Sequence, residues 1–356
     1  MATNRDIKNV LVVRFSALGD VAITIPVLYS VCQAHRDKRF VMLTRQWSAH
    51  LFIDRPSNLE VLGVDVTQDY SGAWGMLKLA RKLRKEYAID AVADLHSVLR
   101  SCVIDASMRL HGVPVARIDK GHKEKWRLVK GKIRHQLTAT TERYADVFRR
   151  LGLDFEESFE GFTSAQTAAL PAKGAGEHWV AIAPFSQHRS KEYPLEKMEE
   201  VITTLLERKD VYIILFGGGN KEKKQLAGIA SRHERTISLA GIKHGFTDEY
   251  AVLRQCDVML SMDSANMHLA SLTRTPVVSV WGATHPWCGF MGWKQNPENA
   301  VQLDLPCRPC SIFGKRECRY GDYHCLADLP PEQIVEKVLV CLTPENSETS
   351  GDPNNT

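Results

Sequence analysis

Residues 10–26 read VLVVRFSALGDVAITIP. The first six, VLVVRF (10–15), carry one charge among apolar, valine-rich side chains, the composition of a strand buried on both faces. A short turn from Ser16 to Gly19 follows, and from about Val21 to His35 the pattern predicts a helix. A buried strand that runs straight into a helix is the opening unit of a parallel α/β sheet.

The alternation continues outward from this stretch. RFVMLT (39–44), EVLGVDV (60–66) and IDAVADL (89–95) read as strands. AWGMLKLARKLRKEY (73–87) reads as an amphipathic helix, with Leu77, Leu79 and Leu83 toward a core and Lys78, Arg81, Lys82 and Lys85 toward water. In the second half WVAIAP (179–184), VYIILFG (211–217), TISLAG (236–241), VMLSM (258–262) and PVVSVWG (276–282) are strand-like. Helices are predicted from Pro194 to about Glu207, through KEKKQLAGIASRH and FTDEYAVLRQC, from Ser264 to Leu272, and through PPEQIVEKVLVCL (330–342). Small residues, Pro and Gly in TSAQTAALPAKGAGEH (163–178) mark an interdomain linker.

The expected architecture is therefore α/β, with two doubly wound domains facing across a cleft. Their expected limits are 1–165 and 179–343, joined by a linker at 166–178 and followed by a disordered tail at 344–356. Ligands of such folds bind beyond the carboxyl ends of the strands.

A length of 356 residues agrees with two domains. With 44% hydrophobic and 25% charged residues, the composition excludes disordered and fibrous classes. No apolar run is long enough to span a membrane. The N-terminus MATNRDIKNV lacks a signal-peptide pattern, so a cytoplasmic protein is expected. The net charge of +4 is uneven: residues 1–165 hold 26 Lys+Arg against 19 Asp+Glu, and the remainder 20 against 23. A basic half fits either an anionic partner or plain solubility.

Four segments carry chemistry-bearing residues. In RFSALGDVAITIP (14–26), Asp20 is either an N-cap or a general base at a sheet rim. Gly19 stands alone there, which argues against a dinucleotide loop. In SMDSANMHLASL (261–272), Asp263, Ser264 and Ala265 open a helix whose free N–H groups suit a phosphate, with His268 one turn in; capping and packing is the competing explanation. APFSQHRSKEYP (183–194) offers Ser186, His188, Arg189 and Lys191 as donors for an oxyanion, or is simply a solvated basic loop. FGGGNKEKK (216–224) allows close backbone approach and places Glu222 where a carboxylate could meet a ribose.

Taken together, VLVVRFSALGDVAITIPVL, DLHSVLRS (94–101), SKEYP (190–194), FGGGNKE (216–222) and MDSANMHLA (262–270) resemble, in order and spacing, glycosyltransferase family 9, the ADP-heptose:lipopolysaccharide heptosyltransferase group. The resemblance spans roughly residues 8–342. It implies a GT-B fold and inverting sugar transfer, with no metal required, from a nucleotide sugar such as ADP-heptose to a lipopolysaccharide core. It further implies that Asp20 is the catalytic base and that Lys191 meets the donor phosphates. Asp263, Ser264 and Ala265 match the phosphate cradle, where the family more often has Gly in the third place. His268 matches the family's helix histidine, and Glu222 a ribose-contacting acid. Tyr193 stands where the family often shows Trp. Two other readings stay open: an epimerase-like GT-B enzyme, and a non-catalytic sugar-nucleotide-binding protein.

RIDKGHKEKWRLVKGKIR (117–134) is a loop-like stretch with eight Lys/Arg against two acids. A phosphorylated glycolipid is its expected partner, with Arg100, Lys120, Lys123, Lys125, Arg127 and Arg143 as candidate contacts and peripheral association with the cytoplasmic face of the inner membrane. No nucleic-acid module is recognisable, and nucleic acid is not an expected partner. Cys307, Cys310, Cys318 and Cys325 lie within nineteen residues. Structural zinc, reduced thiols and disulfides are the three alternatives for this cluster.

Overall fold

The structure, a computed structural model, describes residues 7–166, 170, 172–242 and 245–343. The tail at 344–356 and part of the expected linker lie outside these residues. The chain divides into two compact units, Met1–His122 with Thr138–Phe162, and Lys123–Leu137 with Thr163–Thr356.

The first unit is built on β1 (Asn9–Val13), β2 (Arg39–Arg45), β3 (Leu59–Val64), β4 (Ala91–Asp94) and β5 (Val115–Arg117). They form one parallel sheet in the order β3-β2-β1-β4-β5. Its helices are α1 (Leu18–Ala22), α2 (Ile25–Ala34), α3 (Gly72–Tyr87), α4 (Leu99–Leu110) and α6 (Thr140–Arg149). Leu11, Val13, Val41, Leu43 and Val92 point from the sheet into a core closed by Met76, Leu79 and Leu83 of α3. Leu79 and Leu83 are positions of the helical stripe read in the sequence; Leu77 is only partly buried, and Met76, outside that stripe, is buried in its place.

The expected helix at 21–35 is broken in two. α1 starts earlier, at Leu18, and its chain turns at Ile23–Thr24, where the Thr24 hydroxyl donates to the Val21 carbonyl at 2.7 Å. Pro26 lies in the first turn of α2, where its missing N–H costs no helical hydrogen bond.

The second unit carries β6 (His178–Ala183), β7 (Val211–Leu215), β8 (Thr236–Ser238), β9 (Val258–Met262), β10 (Val277–Val280) and β11 (Ala300–Val301). Its sheet is parallel, in the order β11-β10-β9-β6-β7-β8. The helices are α5 (His122–Val129), α7 (Leu195–Leu205), α8 (Gly219–Ala230), α9 (Phe246–Leu253), α10 (Ala265–Leu272), α11 (His324–Ala327) and α12 (Pro331–Cys341). Strand β8 stops at Ser238 and a 3₁₀ turn takes Leu239–Gly241, which shortens the strand expected there.

The basic stretch 117–134 differs most from its reading. It contains a helix, α5, rather than loop alone, and residues 123–137 pack with the second unit rather than the first. The cause is apolar: Leu128 and Leu137 are buried against Cys288, with Ile133, Trp287 and Phe290 around them.

Candidate active site

Both sheets reverse strand order beside their first strand. In the first, β1 lies between β2 and β4; in the second, β6 lies between β7 and β9. Such switch points leave a crevice at the carboxyl ends of two adjacent strands. The sequence-predicted groups Asp20 and Lys191 follow β1 and β6, one at each crevice.

In the first unit the turn after β1 meets the turn after β4. Arg14 is buried and donates through Nη1 to the Leu95 carbonyl at 2.8 Å. Its Nη2 pairs with Asp20 Oδ2 at 2.6 Å, and the Ala17 N–H donates to the same oxygen at 3.1 Å. Asp20 is thus a helix-start cap and the partner of a buried guanidinium at once. Its side chain remains 29% exposed. Burial alone would lower the Arg14 pKa, but interactions with Tyr144 and Asp20 outweigh it and raise the pKa. Tyr144 closes the floor, donating to the Asp20 carbonyl at 3.4 Å.

His96, from the turn after β4, accepts the Phe15 N–H at Nδ1, 3.3 Å away, and its Nε2 lies 3.5 Å from the Ser16 hydroxyl. Burial, then the nearby charges of Arg14 and Lys120, push its pKa down to about 3, so the ring is neutral near pH 7. Asp94 holds this turn, accepting the N–H groups of His96 and Ser97 at 2.9 and 2.8 Å and the Ser101 hydroxyl at 2.8 Å. Lys120 reaches the Ser97 carbonyl at 3.0 Å, and its pKa is lowered by burial and by Arg14.

In the second unit the loop after β6 meets the loop after β9. Lys191 Nζ lies 2.9 Å from Asp263 Oδ2, with both side chains largely buried. The Thr284 hydroxyl donates to the same carboxylate oxygen at 2.7 Å. Ser264 is the N-cap residue of α10, its hydroxyl 3.2 Å from that of Ser261, and Ala265 is the first helical residue. His268 sits buried one turn in.

A cavity of about 450 Å³ opens between the β6 and β7 loops. Arg189, Glu192, Gly218 and Glu222 are among its walls. Glu222 accepts the Gly218 N–H at 2.8 Å and so fixes the glycine turn. Gly219 has φ +73°, a left-handed conformation that suits glycine, and from it α8 departs. The Ser186 N–H donates to Glu192 at 3.1 Å. Tyr193 is a core residue whose hydroxyl donates to the Leu329 carbonyl at 2.7 Å.

The structure thus brings Asp20 together with Arg14, and Lys191 together with Asp263 and the start of α10. Arg14, His96 and Thr284 were not singled out from sequence as site residues. Arg14 and His96 lie within VLVVRFSALGDVAITIP (10–26) and DLHSVLRS (94–101), and their roles come from contacts between those two segments. Nothing local to Thr284 marks it.

The basic candidates separate. Arg100 is exposed and Lys120 half-buried in the first unit, while Lys123 and Arg127 are exposed in the second. Lys125 is buried with its ammonium over the Phe290 ring, 4.6 Å from the centroid. Arg143 is also buried, with its guanidinium donating to the carbonyls of Thr138 and Asp119.

The four clustered cysteines form no disulfide. They are also not the group whose ligand atoms converge. Among the described residues that group is Cys318, Asp322 and His324. Cys325 is buried in the apolar core of the second unit with Leu326 and Leu329.

Comparison with known proteins matches residues 76–324 to Glycosyltransferase family 9 (heptosyltransferase). Lipooligosaccharide heptosyltransferase 2 of Campylobacter jejuni is 23% identical over 336 residues, which cover 92% of this chain and 97% of that protein. A family 9 glycosyltransferase of Veillonella parvula superposes with a TM-score of 0.74 at 16% identity, covering 96% of this chain and 99% of that one. Escherichia coli heptosyltransferase WaaC, solved with ADP-2-deoxy-2-fluoro heptose, superposes with a TM-score of 0.62 at 20% identity, covering 86% of this chain and 97% of that one. At such identities the structural likeness speaks for the fold, two Rossmann-like units of the GT-B kind.

Proposed function

This chain belongs to glycosyltransferase family 9, and on that premise we propose that it transfers a heptose from a nucleoside-diphosphate sugar to a lipopolysaccharide-core acceptor in one inverting displacement. The observation that carries the reading is the Lys191–Asp263 pair, 2.9 Å apart, beside the first turn of α10 at a strand switch point. A cation and a helix N-terminus converging on one crevice suit a diphosphate.

In this reading ADP-heptose is the donor. Its diphosphate lies on Lys191, Ser264 and Ala265, with Asp263 holding the lysine in place. Glu222 and Ser186 serve the nucleoside side, and His268 supports the cradle from within α10. The acceptor hydroxyl attacks the anomeric carbon and passes its proton to the Asp20 carboxylate. The bond from that carbon to the diphosphate oxygen breaks, and the ADP leaves as an anion. Lys191 and the helix terminus stabilise the growing charge, so transfer needs no metal. One displacement by an external hydroxyl inverts the anomeric configuration.

The acceptor is a phosphorylated glycolipid, met by the exposed cations Arg100 and Lys123 and by the half-buried Lys120. Arg143, being buried, shapes the Asp119–Gly121 turn next to Lys120 rather than touching the glycan. Among the described residues no helix is long and apolar enough to cross a membrane. Peripheral association at the cytoplasmic face of the inner membrane is the corresponding proposal.

A thermal-shift panel of nucleoside diphosphates, followed by ADP release from ADP-heptose, tests this reading. Release that requires a lipopolysaccharide-core acceptor is expected. Epimerisation of the nucleotide sugar without acceptor would replace transfer by an epimerase activity, and binding without turnover would leave a sugar-nucleotide-binding protein.

A further inference from the structure

The outer face of α3 serves neither the core nor the transfer chemistry above. Among the described residues the three most exposed large apolar side chains are Leu99 at 88%, Leu110 at 85% and Trp74 at 80%. Trp74 lies on α3, Leu99 and Leu110 lie on α4, and the two helices pack together. Lys78, Arg81, Lys82 and Lys85 of α3 are exposed as well, against one exposed acid on that helix, Glu86. Lys82 and Glu86 stand 3.9 Å apart at the surface, a pair that contributes little. Exposed charges account for solubility, but large apolar side chains gathered in water mark an interaction surface.

The second unit carries an apolar groove of the opposite sign. Between α7 and α12 lies a cavity of about 820 Å³. Val335, Leu339 and Val340 line it together with the exposed carboxylates Glu200, Glu332 and Glu336. Among the described residues no Lys or Arg lines it.

The two surfaces match in spacing. Trp74, Lys78 and Lys82 follow one another at i, i+4 and i+8 on α3, a row that forms a ridge on a helix. Val340, Glu336 and Glu332 make the same row on α12, read in reverse. Each row is about 12 Å long. Laid antiparallel, the rows set Trp74 against Val340, Lys78 against Glu336 and Lys82 against Glu332. Like surfaces do not match: two α3 faces would oppose lysine to lysine, and two grooves glutamate to glutamate. Residues 344–356 of the chain itself carry Glu345, Glu348 and Asp352 and no Lys or Arg, so they share the sign of the groove.

We propose that α3 of one copy docks in the α7–α12 groove of a second copy, with Trp74 as the apolar anchor and Lys78 and Lys82 paired to Glu336 and Glu332. Leu99 and Leu110 add apolar area from α4 beside it. The two surfaces differ, so the interface is heterologous and every copy offers one of each. Association therefore continues past the dimer, into a closed ring or an open chain of copies. The contact is independent of which sugar is transferred.

Sedimentation velocity of the full-length chain, over a range of protein and salt concentrations, tests the proposal. Species larger than a dimer are expected at high protein and low salt, receding as salt rises. Lys78→Glu with Lys82→Glu, and separately Glu332→Lys with Glu336→Lys, should each weaken association at least about 10-fold. Equal amounts of the two double variants should associate again when mixed, because each then meets a surface of opposite sign. Trp74→Ala should weaken association about 10-fold while ADP affinity stays unchanged. A wild type that is monomeric throughout overturns the proposal, and its sedimentation with phosphatidylglycerol vesicles would assign the α3 face to lipid instead. Association retained in either double variant, or a mixture of the two that stays monomeric, would overturn it as well.

Discussion

Arg14 and Asp20 form an ion pair of 2.6 Å across the turn that follows β1, and the guanidinium end of that pair is almost completely buried. The arginine is tied to the Leu95 carbonyl on the neighbouring strand's turn, so the carboxylate is located by two strands at once. A base that must meet an acceptor hydroxyl gains from such positioning. Arg14→Gln is expected to lower kcat by about 10- to 100-fold while leaving ADP affinity unchanged. Kinetics paired with calorimetry check the separation, and an equal loss in both would make Arg14 merely structural.

Lys191 is paired with Asp263 at 2.9 Å, and the Thr284 hydroxyl donates to the same carboxylate oxygen at 2.7 Å. Hydrogen bonds to charged groups contribute about 1.5–3 kcal/mol. Lys191→Ala should therefore weaken ADP binding about 10- to 100-fold and adenosine binding far less. Equal losses for the two ligands in calorimetry would contradict the phosphate role.

Glu222 makes the complementary case. It walls the 450 Å³ cavity and fixes the Gly218 turn. Glu222→Ala should weaken ADP and adenosine binding by similar factors, about 10-fold each, because the contact lies on the nucleoside. A loss confined to ADP would move Glu222 from the ribose to the phosphates.

The neutral His96 leaves a signature in stability. Its folded pKa, about 3, lies below the unfolded value of about 6.5. The unfolded chain therefore binds the proton first as pH falls, and stability present above pH 6.5 declines toward pH 3 by up to about 1.4 kcal/mol per pH unit. Between pH 6.5 and 5, before most carboxylates titrate, His96→Asn should flatten that decline. Denaturant melts of both proteins across this window give the comparison, and parallel slopes would refute it.

The α/β alternation was legible because each strand of β1, β2, β6, β7 and β9 is a short apolar run, and such runs need no distant partner to be recognised. Asp20, Lys191 and Asp263 were legible for a similar reason: each stands just past a strand end. What escaped is what depends on contacts far apart in the chain. Lys191 meets Asp263 across 72 positions, and Thr284 joins them from a third loop. The stretch 117–134 looked like solvated basic loop, yet Leu128 draws part of it into a helix packed on Cys288. The cysteine spacing leaves metal, reduced thiols and disulfides open, and does not tell that Cys325 packs with Leu326 and Leu329 or that His324 lies 3.7 Å from Cys307. Side-chain direction at that position depends on how α11 docks, which spacing alone does not encode.

The most direct test of the account is the turnover of Asp20→Asn. ADP release from ADP-heptose in the presence of a lipopolysaccharide-core acceptor is measured for wild type and variant, alongside ADP affinity by calorimetry. The predicted result is a rate reduced at least about 10²-fold, within the range typical of a lost general base, with ADP affinity unchanged. Wild-type turnover in Asp20→Asn would contradict the assignment of the base and with it the proposed displacement.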